Sequence, residues 1–307
     1  MQKRKRILLT GGSGLLALNW GFRFMDEADV ILGLHNKKID VPAITCVQID
    51  IESQENFSQT LKQWQPDVVI HCAGLANVEA CESDPVAAYH INVSLSMHVA
   101  NACKQNGIKF VYICTDHLFT GAHAMATENE EPSPVNEYGR TKLEAEQRIL
   151  EIDPSNLSIR TNFYGWGPSY RQSFSDMIIY NIRANKPVML FDDLFYTPLL
   201  IEELAEVVMD LLLQEATGIY NVVGRTRISK YTFGRMLATE FGLNTNLIIK
   251  ARFSDRKDLV KRPPDLSLSV KKAEDFLGRT IGDINTNLVR LRMQEEEGLQ
   301  SRIHRLS

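Results

Sequence analysis

The sequence predicts an α/β fold, a doubly wound parallel sheet with helices on both faces, followed by a smaller α/β lobe. Three observations carry this expectation. Short Val-, Ile- and Leu-rich runs alternate with helical patterns through the first half. Those runs are apolar at nearly every position, as strands covered on both faces are. The second half keeps helical periodicity but loses the regular alternation. At 307 residues, 44% hydrophobic and 23% charged, the chain has length for about two domains and the composition of an ordinary globule.

In order, strands are expected over residues 7–10, 30–34, 46–49, 68–72, 110–114 and 157–159. One long helix is expected over 85–105, because Asp84 can cap its free amides, Pro85 suits its first position and Gly107 follows its last turn. A second helix is expected over 138–151, with Pro154 shortly beyond. The long Glu- and Pro-rich loop before it, 120–137, is of a size that usually has a functional role. Further helices are expected over 174–184, 201–213, 230–241 and 270–277, and strands over 188–191 and 219–223. Residues 1–165 are assigned to a dinucleotide-binding domain that also receives part of 190–225, and 166–307 mainly to the smaller lobe. The acidic triplet Glu295, Glu296 and Glu297, with the basic tail after it, reads as a solvated end.

Charge and cysteine use exclude several roles. Lys plus Arg is 34 against 38 for Asp plus Glu, a formal net charge of −4, which leaves no large basic surface for nucleic acid. The five cysteines are odd in number and lack a C-x-x-C pair, so a reducing, cytoplasmic setting is expected. The basic stretch at residues 1–6 is followed by too short an apolar run for a leader or a membrane span. His90 and His98 lie eight apart with no third ligand nearby, so no metal site is expected.

Two constellations carry chemistry. Directly after the first strand comes Thr10-Gly11-Gly12-Ser13-Gly14-Leu15-Leu16-Ala17, a small-residue turn opening a helix, which lets backbone approach a pyrophosphate at the helix N-terminus in a Rossmann-type fold. The second strand ends in Leu34-His35-Asn36-Lys37-Lys38, with no carboxylate to accept from a ribose 2′-hydroxyl. NADP(H) is therefore favoured, with NAD(H) the alternative. Asp50-Ile51, after the third strand, could hold an adenine edge, or Asp50 could cap the next helix. In the second constellation, Tyr138 and Lys142 share a helix face at a spacing of four, so that the ammonium could draw the phenol pKa towards neutrality. Thr115 adds a hydroxyl at the carboxyl end of a sheet strand, the rim where open α/β folds bind ligands.

With these residues the chain resembles the extended short-chain dehydrogenases/reductases, and within them the dTDP-4-dehydrorhamnose reductase-like branch. The resemblance spans nearly the whole chain: the turn from Thr10 to Ala17, His71-Cys72-Ala73-Gly74, Val78 to Glu82 leading into Asp84-Pro85, and Asn92. It continues in Cys114-Thr115-Asp116-His117-Leu118-Phe119-Thr120-Gly121, the Tyr138 to Lys142 helix start, Arg160 to Gly165, and Arg262-Pro263. It implies a catalytic set of Thr115, Tyr138 and Lys142, with Tyr138 protonating a ketone oxygen as a nicotinamide delivers hydride. It implies a cofactor path along Gly11, Ser13, Gly14, Leu15, His35, Asn36, Lys37, Asp50, Ile51, Ala73, Gly74 and Asn92, and substrate contacts at Val78, Asp116, His117, Phe163 and Arg262. His117 departs from the branch, which carries Tyr there, and Phe163 and Trp166 could instead pack beneath the second lobe. The implied function is NADPH-dependent reduction of a nucleotide-diphosphate 4-keto-6-deoxy sugar by a soluble protein that could be a homodimer. The alternatives are a non-catalytic regulatory subunit similar to the methionine adenosyltransferase β subunit, and an NAD-dependent sugar-nucleotide epimerase.

Overall fold

The computed structural model describes residues 4–306; of the basic N-terminal stretch, residues 1–3 lie outside the described residues. The first half builds β1 (Arg6–Thr10), α1 (Leu15–Phe24), β2 (Asp29–Leu34), β3 (Thr45–Gln48), α2 (Gln54–Trp64), β4 (Val68–His71), α3 (Val78–Ser83), α4 (Pro85–Tyr89), α5 (Leu95–Gln105), β5 (Lys109–Ile113), α6 (Glu137–Ile152) and β6 (Leu157–Arg160). The second half adds β7 (Phe163–Tyr164), α7 (Phe174–Arg183), β8 (Val188–Phe191), β9 (Phe195–Tyr196), β10 (Leu199–Leu200), α8 (Ile201–Leu213), β11 (Gly218–Asn221), β12 (Ile228–Ser229), α9 (Lys230–Glu240), β13 (Ile248–Ala251), α10 (Lys271–Leu277), α11 (Ile284–Glu296) and α12 (Leu299–His304). The expected elements lie within two residues of those observed, apart from the two corrections below.

Seven parallel strands form one sheet in the order β11-β6-β5-β4-β1-β2-β3. The chain winds outward from β1 in both directions, so the strand order reverses between β1 and β4, and a crevice opens above their carboxyl ends. The apolar runs are buried as their composition requires: Ile7, Leu8, Leu9, Val69, Ile70, Phe110 and Val111 are all fully covered. A second hydrophobic core gathers Trp166, Ile178, Tyr196, Phe233, Leu237 and Leu291. The two cores meet through α1, where the Trp20 indole donates to the Ile201 carbonyl at 3.0 Å and the Asn19 amide to that of Trp166 at 2.8 Å.

The helix expected over 85–105 is not regular. Asp84 does cap α4 and Pro85 does begin it, but residues His90–Ser94 form a π-turn before α5 resumes. Asn92 sits in that turn and spends its side-chain amide on Leu75 and Thr141. Such single π-turns are frequent at functional sites. The C-terminal end is corrected as well. It is not a solvated tail but two helices, α11 and α12, with Leu288, Leu291 and Ile303 in the second core. Glu295 pairs with Arg183 at 2.6 Å.

Beneath the sheet rim, Arg160 and Glu146 form a fully buried ion pair at 2.6 Å, with Ser158 donating to the same carboxylate. Removing one partner strands a buried charge, whereas removing both does not. Arg160→Met is expected to lose about 3–5 kcal/mol of stability and Arg160→Met/Glu146→Leu to recover most of it, as read by urea denaturation.

Candidate active site

A cleft of about 840 Å³ runs over the carboxyl ends of β1, β4 and β5. Its floor is the glycine turn. Gly11 has φ +66°, and a Cβ there would stand 2.9 Å from the Ala73 nitrogen, so only glycine lets the first turn lie against the end of β4. A Cβ on Gly12 would stand 2.8 Å from that of Leu32. The turn is tied down by a buried chain of hydrogen bonds. The amide of Ala73 donates to the Thr10 hydroxyl at 3.3 Å, Thr10 Oγ1 meets His71 Nδ1 at 2.8 Å, and His71 Nε2 meets Ser96 Oγ at 3.1 Å. Ser96 donates onward to the Asn92 carbonyl at 2.7 Å, which assigns the ring proton to Nε2 of His71. Burial keeps that ring neutral by pulling it down to about 3.

Gly14 opens α1 with no side-chain cap and no acid in the first turn, so the helix's free amides are left to whatever fills the cleft. Ser13, Leu15, His35, Asn36, Ile51, Ala73, Gly74 and Asn92 line it. Lys37 and Asp50 do not. The Lys37 ammonium lies 4.4 Å over the ring of Tyr170, whose hydroxyl donates to the Ser13 carbonyl at 2.8 Å. Asp50 accepts from the Glu52 amide and from Asn56, which holds the approach to α2. The cap of α2 is Ser53, which accepts from the Asn56 amide, so Asp50 stands neither at that cap nor in the cleft lining.

Tyr138, Lys142, Thr115, Asp116, His117, Val78 and Phe163 all line the same cleft. Asn136 caps α6 by accepting from the Gly139 amide at 2.9 Å, which sets the first turn and carries Tyr138 into the cleft. Thr115, just past β5, faces the Tyr138 phenol and bonds to Asp116 at 3.3 Å. The expected effect of Lys142 on the phenol is not found. The ammonium donates to the Ile113 carbonyl at 2.7 Å and lies 4.1 Å over the ring of Tyr112, while burial pushes the Tyr138 phenol above its usual range near 10. The phenol is thus held protonated. The same burial pulls Lys142 down to about 8.

His117 stands edge-on to Tyr138 with ring centres 5.3 Å apart. Its Nδ1 is buried without a partner, and burial, with Arg262 and Lys230 adding to it, pulls the ring down to about 3. Asp116, buried beside it, accepts from Asn162 at 2.7 Å and is pushed up to about 6 by burial. Arg262 is not part of the lining and pairs with Glu79 on α3. The sequence reading missed Thr161 and the segment Arg171, Gln172, Ser173 and Phe174, which also line the cleft. Their only local signal is the Ser173 cap of α7, which reads as ordinary helix chemistry. Among the described residues no group of three metal-ligating side chains occurs, and no helix is long and apolar enough to cross a membrane.

The family model described as the RmlD substrate binding domain matches residues 5–294. The chain belongs to that family. Among its relatives is the probable low-salt glycan biosynthesis reductase Agl14 of Haloferax volcanii, 28% identical over 88% of this chain and 91% of the relative. The methionine adenosyltransferase 2 subunit beta of Mus musculus is 27% identical over 78% of this chain and 73% of the relative. The crystal structure of dTDP-4-dehydrorhamnose reductase from Bacillus anthracis, in complex with NADP, is similar at a TM-score of 0.83 and 22% identity, over 95% of this chain and 99% of that one.

His117 offers a direct test of the cleft's burial. The free side chain titrates near 6.5 and the folded one near 3, so between these values only the unfolded chain binds the proton, and stability falls as pH falls through that window. Relative to wild type, His117→Phe is expected to gain about 2 kcal/mol between pH 7 and pH 5, measured by denaturation at both.

Proposed function

We propose that the protein is an NADPH-dependent reductase of a nucleotide-diphosphate 4-keto-6-deoxy sugar. The observation that carries this is the joint placement of Thr115, Tyr138 and Lys142 in one cleft with the glycine turn of β1. The residues fit a dinucleotide: Gly11 provides a close backbone approach that a Cβ would fill, and the first turn of α1 is uncapped by any side chain. Gly11, Ser13, Gly14 and Leu15 would hold the pyrophosphate, Ala73, Gly74 and Asn92 the path beyond it, and Lys142 the nicotinamide ribose. The absence of an acid in His35, Asn36 and Lys37 supports NADP(H) over NAD(H). When bound, the cofactor supplies hydride to the carbonyl carbon.

The protein's own work is at the oxygen. Tyr138 starts protonated and gives its phenolic proton to the sugar oxygen as that oxygen gains charge. Thr115 donates to the same oxygen and steadies it, in a setting where little water competes. Lys142, cationic below about 8 and held on the Ile113 carbonyl, would serve the nicotinamide ribose rather than the phenol. Val78, Asp116, His117 and Phe163 border the sugar. The relative from Haloferax volcanii, described as a reductase of glycan biosynthesis, supports this chemistry class.

The test is NADPH consumption with freshly generated dTDP-4-keto-6-deoxy sugar. Wild type is expected to turn over, and Tyr138→Phe to lose about 10²- to 10⁴-fold in kcat with NADPH affinity retained. Wild type that binds NADPH but consumes none with any keto sugar nucleotide contradicts the reading. Co-purification with a synthetase would then favour a role as a subunit of a larger enzyme, in line with the relative named methionine adenosyltransferase 2 subunit beta.

A further inference from the structure

Between Gly167 and Ser173 the chain leaves the second lobe and returns to it. Gly167, Pro168 and Ser173 are buried, whereas Ser169, Tyr170, Arg171 and Gln172 are exposed. The tip of this strap crosses to the first half of the molecule, where the Tyr170 hydroxyl donates to the Ser13 carbonyl at 2.8 Å and the Tyr170 ring takes the Lys37 ammonium at 4.4 Å. Arg171, Gln172 and Ser173 line the cleft from there. Within the strap the Arg171 amide donates to the Pro168 carbonyl at 2.9 Å, which makes a turn but does not tie that turn to the lobe.

What ties it is one oxygen. Asp176, the third residue of α7, is fully buried, and its Oδ2 accepts from the Gly167 amide at 2.7 Å and from the Ser173 amide at 2.8 Å, the two residues that bracket the strap. The bond to Ser173 belongs to an ordinary capping box, completed by the Asp176 amide donating to the Ser173 hydroxyl at 3.0 Å. The bond to Gly167 lies outside that box and needs glycine, since a Cβ there would stand 2.8 Å from the same oxygen. Oδ1 of Asp176 is buried with no partner, so the carboxylate is satisfied on the strap side alone. A buried carboxylate served by neutral donors is costly, and burial pushes this one up to about 6. The titratable groups that face it are His304 on α12, whose positive form favours the carboxylate, and Tyr180 one turn along α7, whose ring meets that of His304 at 5.8 Å. Arg183 and Glu295 beyond them are paired with each other.

We propose that Asp176 is a positioning residue for the cleft: its carboxylate clasps both ends of the strap and thereby holds Tyr170 and Arg171 against the glycine turn. The ionised form makes charge-assisted bonds to both amides, and protonation reduces them to neutral bonds of about half the strength. The clasp is therefore tight above about 6 and slackens as pH falls through that value. Slackening weakens whatever anion sits on the glycine turn, because the strap's tip is bonded to Ser13 within that turn. This consequence rests on the dinucleotide reading above, whereas the clasp itself does not.

The experiment has two arms, both on the full chain. Hydrogen–deuterium exchange without cofactor reads the clasp: Asp176→Asn is expected to exchange several-fold faster over residues 167–173 and at the wild-type rate over the main sheet. Calorimetric titration with NADP, which survives acid, reads the consequence. Asp176→Asn is expected to bind about three- to tenfold more weakly at pH 7.5. Wild type is expected to lose about three- to fivefold between pH 7.5 and pH 5 beyond any loss in the variant, the ligand's own 2′-phosphate titrating equally against both. His304→Gln should keep that step. Tyr170→Phe, which leaves α7 and the second core untouched, should weaken NADP comparably, abolish the step and add little to Asp176→Asn, so it carries the test even where Asp176→Asn folds poorly. Unchanged exchange over 167–173, a pH step that survives in both variants, or one that His304→Gln removes, overturns the proposal. Wild type that binds no NADP while Asp176→Asn still frees the strap upholds the clasp and removes the dinucleotide reading, so the two fail separately.

Discussion

The closeness of two pieces of backbone governs the rest of the molecule. For a ligand to lie across the reversal of strand order, the turn after β1 must pass in contact with the end of β4, and that contact leaves no room for a Cβ at Gly11. The Thr10, His71 and Ser96 side chains then lock the two strand ends together from below, and their polarity is tolerable in the core because each donor finds an acceptor. Ser96 passes the constraint to the π-turn, and Asn92 in that turn passes it to Leu75 and to Thr141, one residue from Lys142. One steric requirement at a glycine thus fixes both the cofactor floor and the helix that carries Tyr138.

On this frame the cleft concentrates groups whose ionisation is moved by burial. Lys142 in the lining and Lys230 outside it, over the Phe174 ring, are both pulled down to about 8, Asp116 is pushed up to about 6, and the Tyr138 phenol is raised. Displaced ionisation of this kind collects where charge is to be created and neutralised. Burial dominates each of the four shifts, so the cleft acts as a low-dielectric container whose charges await partners. The Arg160–Glu146 pair behind β6 shows the contrast, since a carboxylate and a guanidinium already complete each other there.

The sheet, its order and the glycine turn were legible because they rest on local signals: apolar runs, a small-residue turn, and caps within a few residues of each helix start. Thr115, Tyr138 and Lys142 were legible through spacing and position on strand and helix. Spacing could not say where the Lys142 ammonium would go, and it goes to the Ile113 carbonyl rather than to the phenol. The same limit applies to Asp50, which satisfies its neighbours, and to Lys37, which is drawn to Tyr170 from the second half of the chain. Phe174 and Arg171 reach the cleft only through long-range packing, and their local sequence reads as an ordinary approach to a helix start. The C-terminal helices were hidden because their charged faces outweigh a few buried leucines in the pattern, and only the second core shows what those leucines cover.

The measurement that tests the central claim most directly follows deuterium. NADPH labelled at nicotinamide C4, on each face in turn, is supplied with the keto sugar nucleotide, and the product is examined by NMR. The account predicts that label from one face alone appears at the former carbonyl carbon, with the oxygen proton exchanging with solvent. Label lost to water, label at another carbon, or transfer from both faces would contradict a single cleft in which Tyr138 meets the oxygen as hydride reaches the carbon.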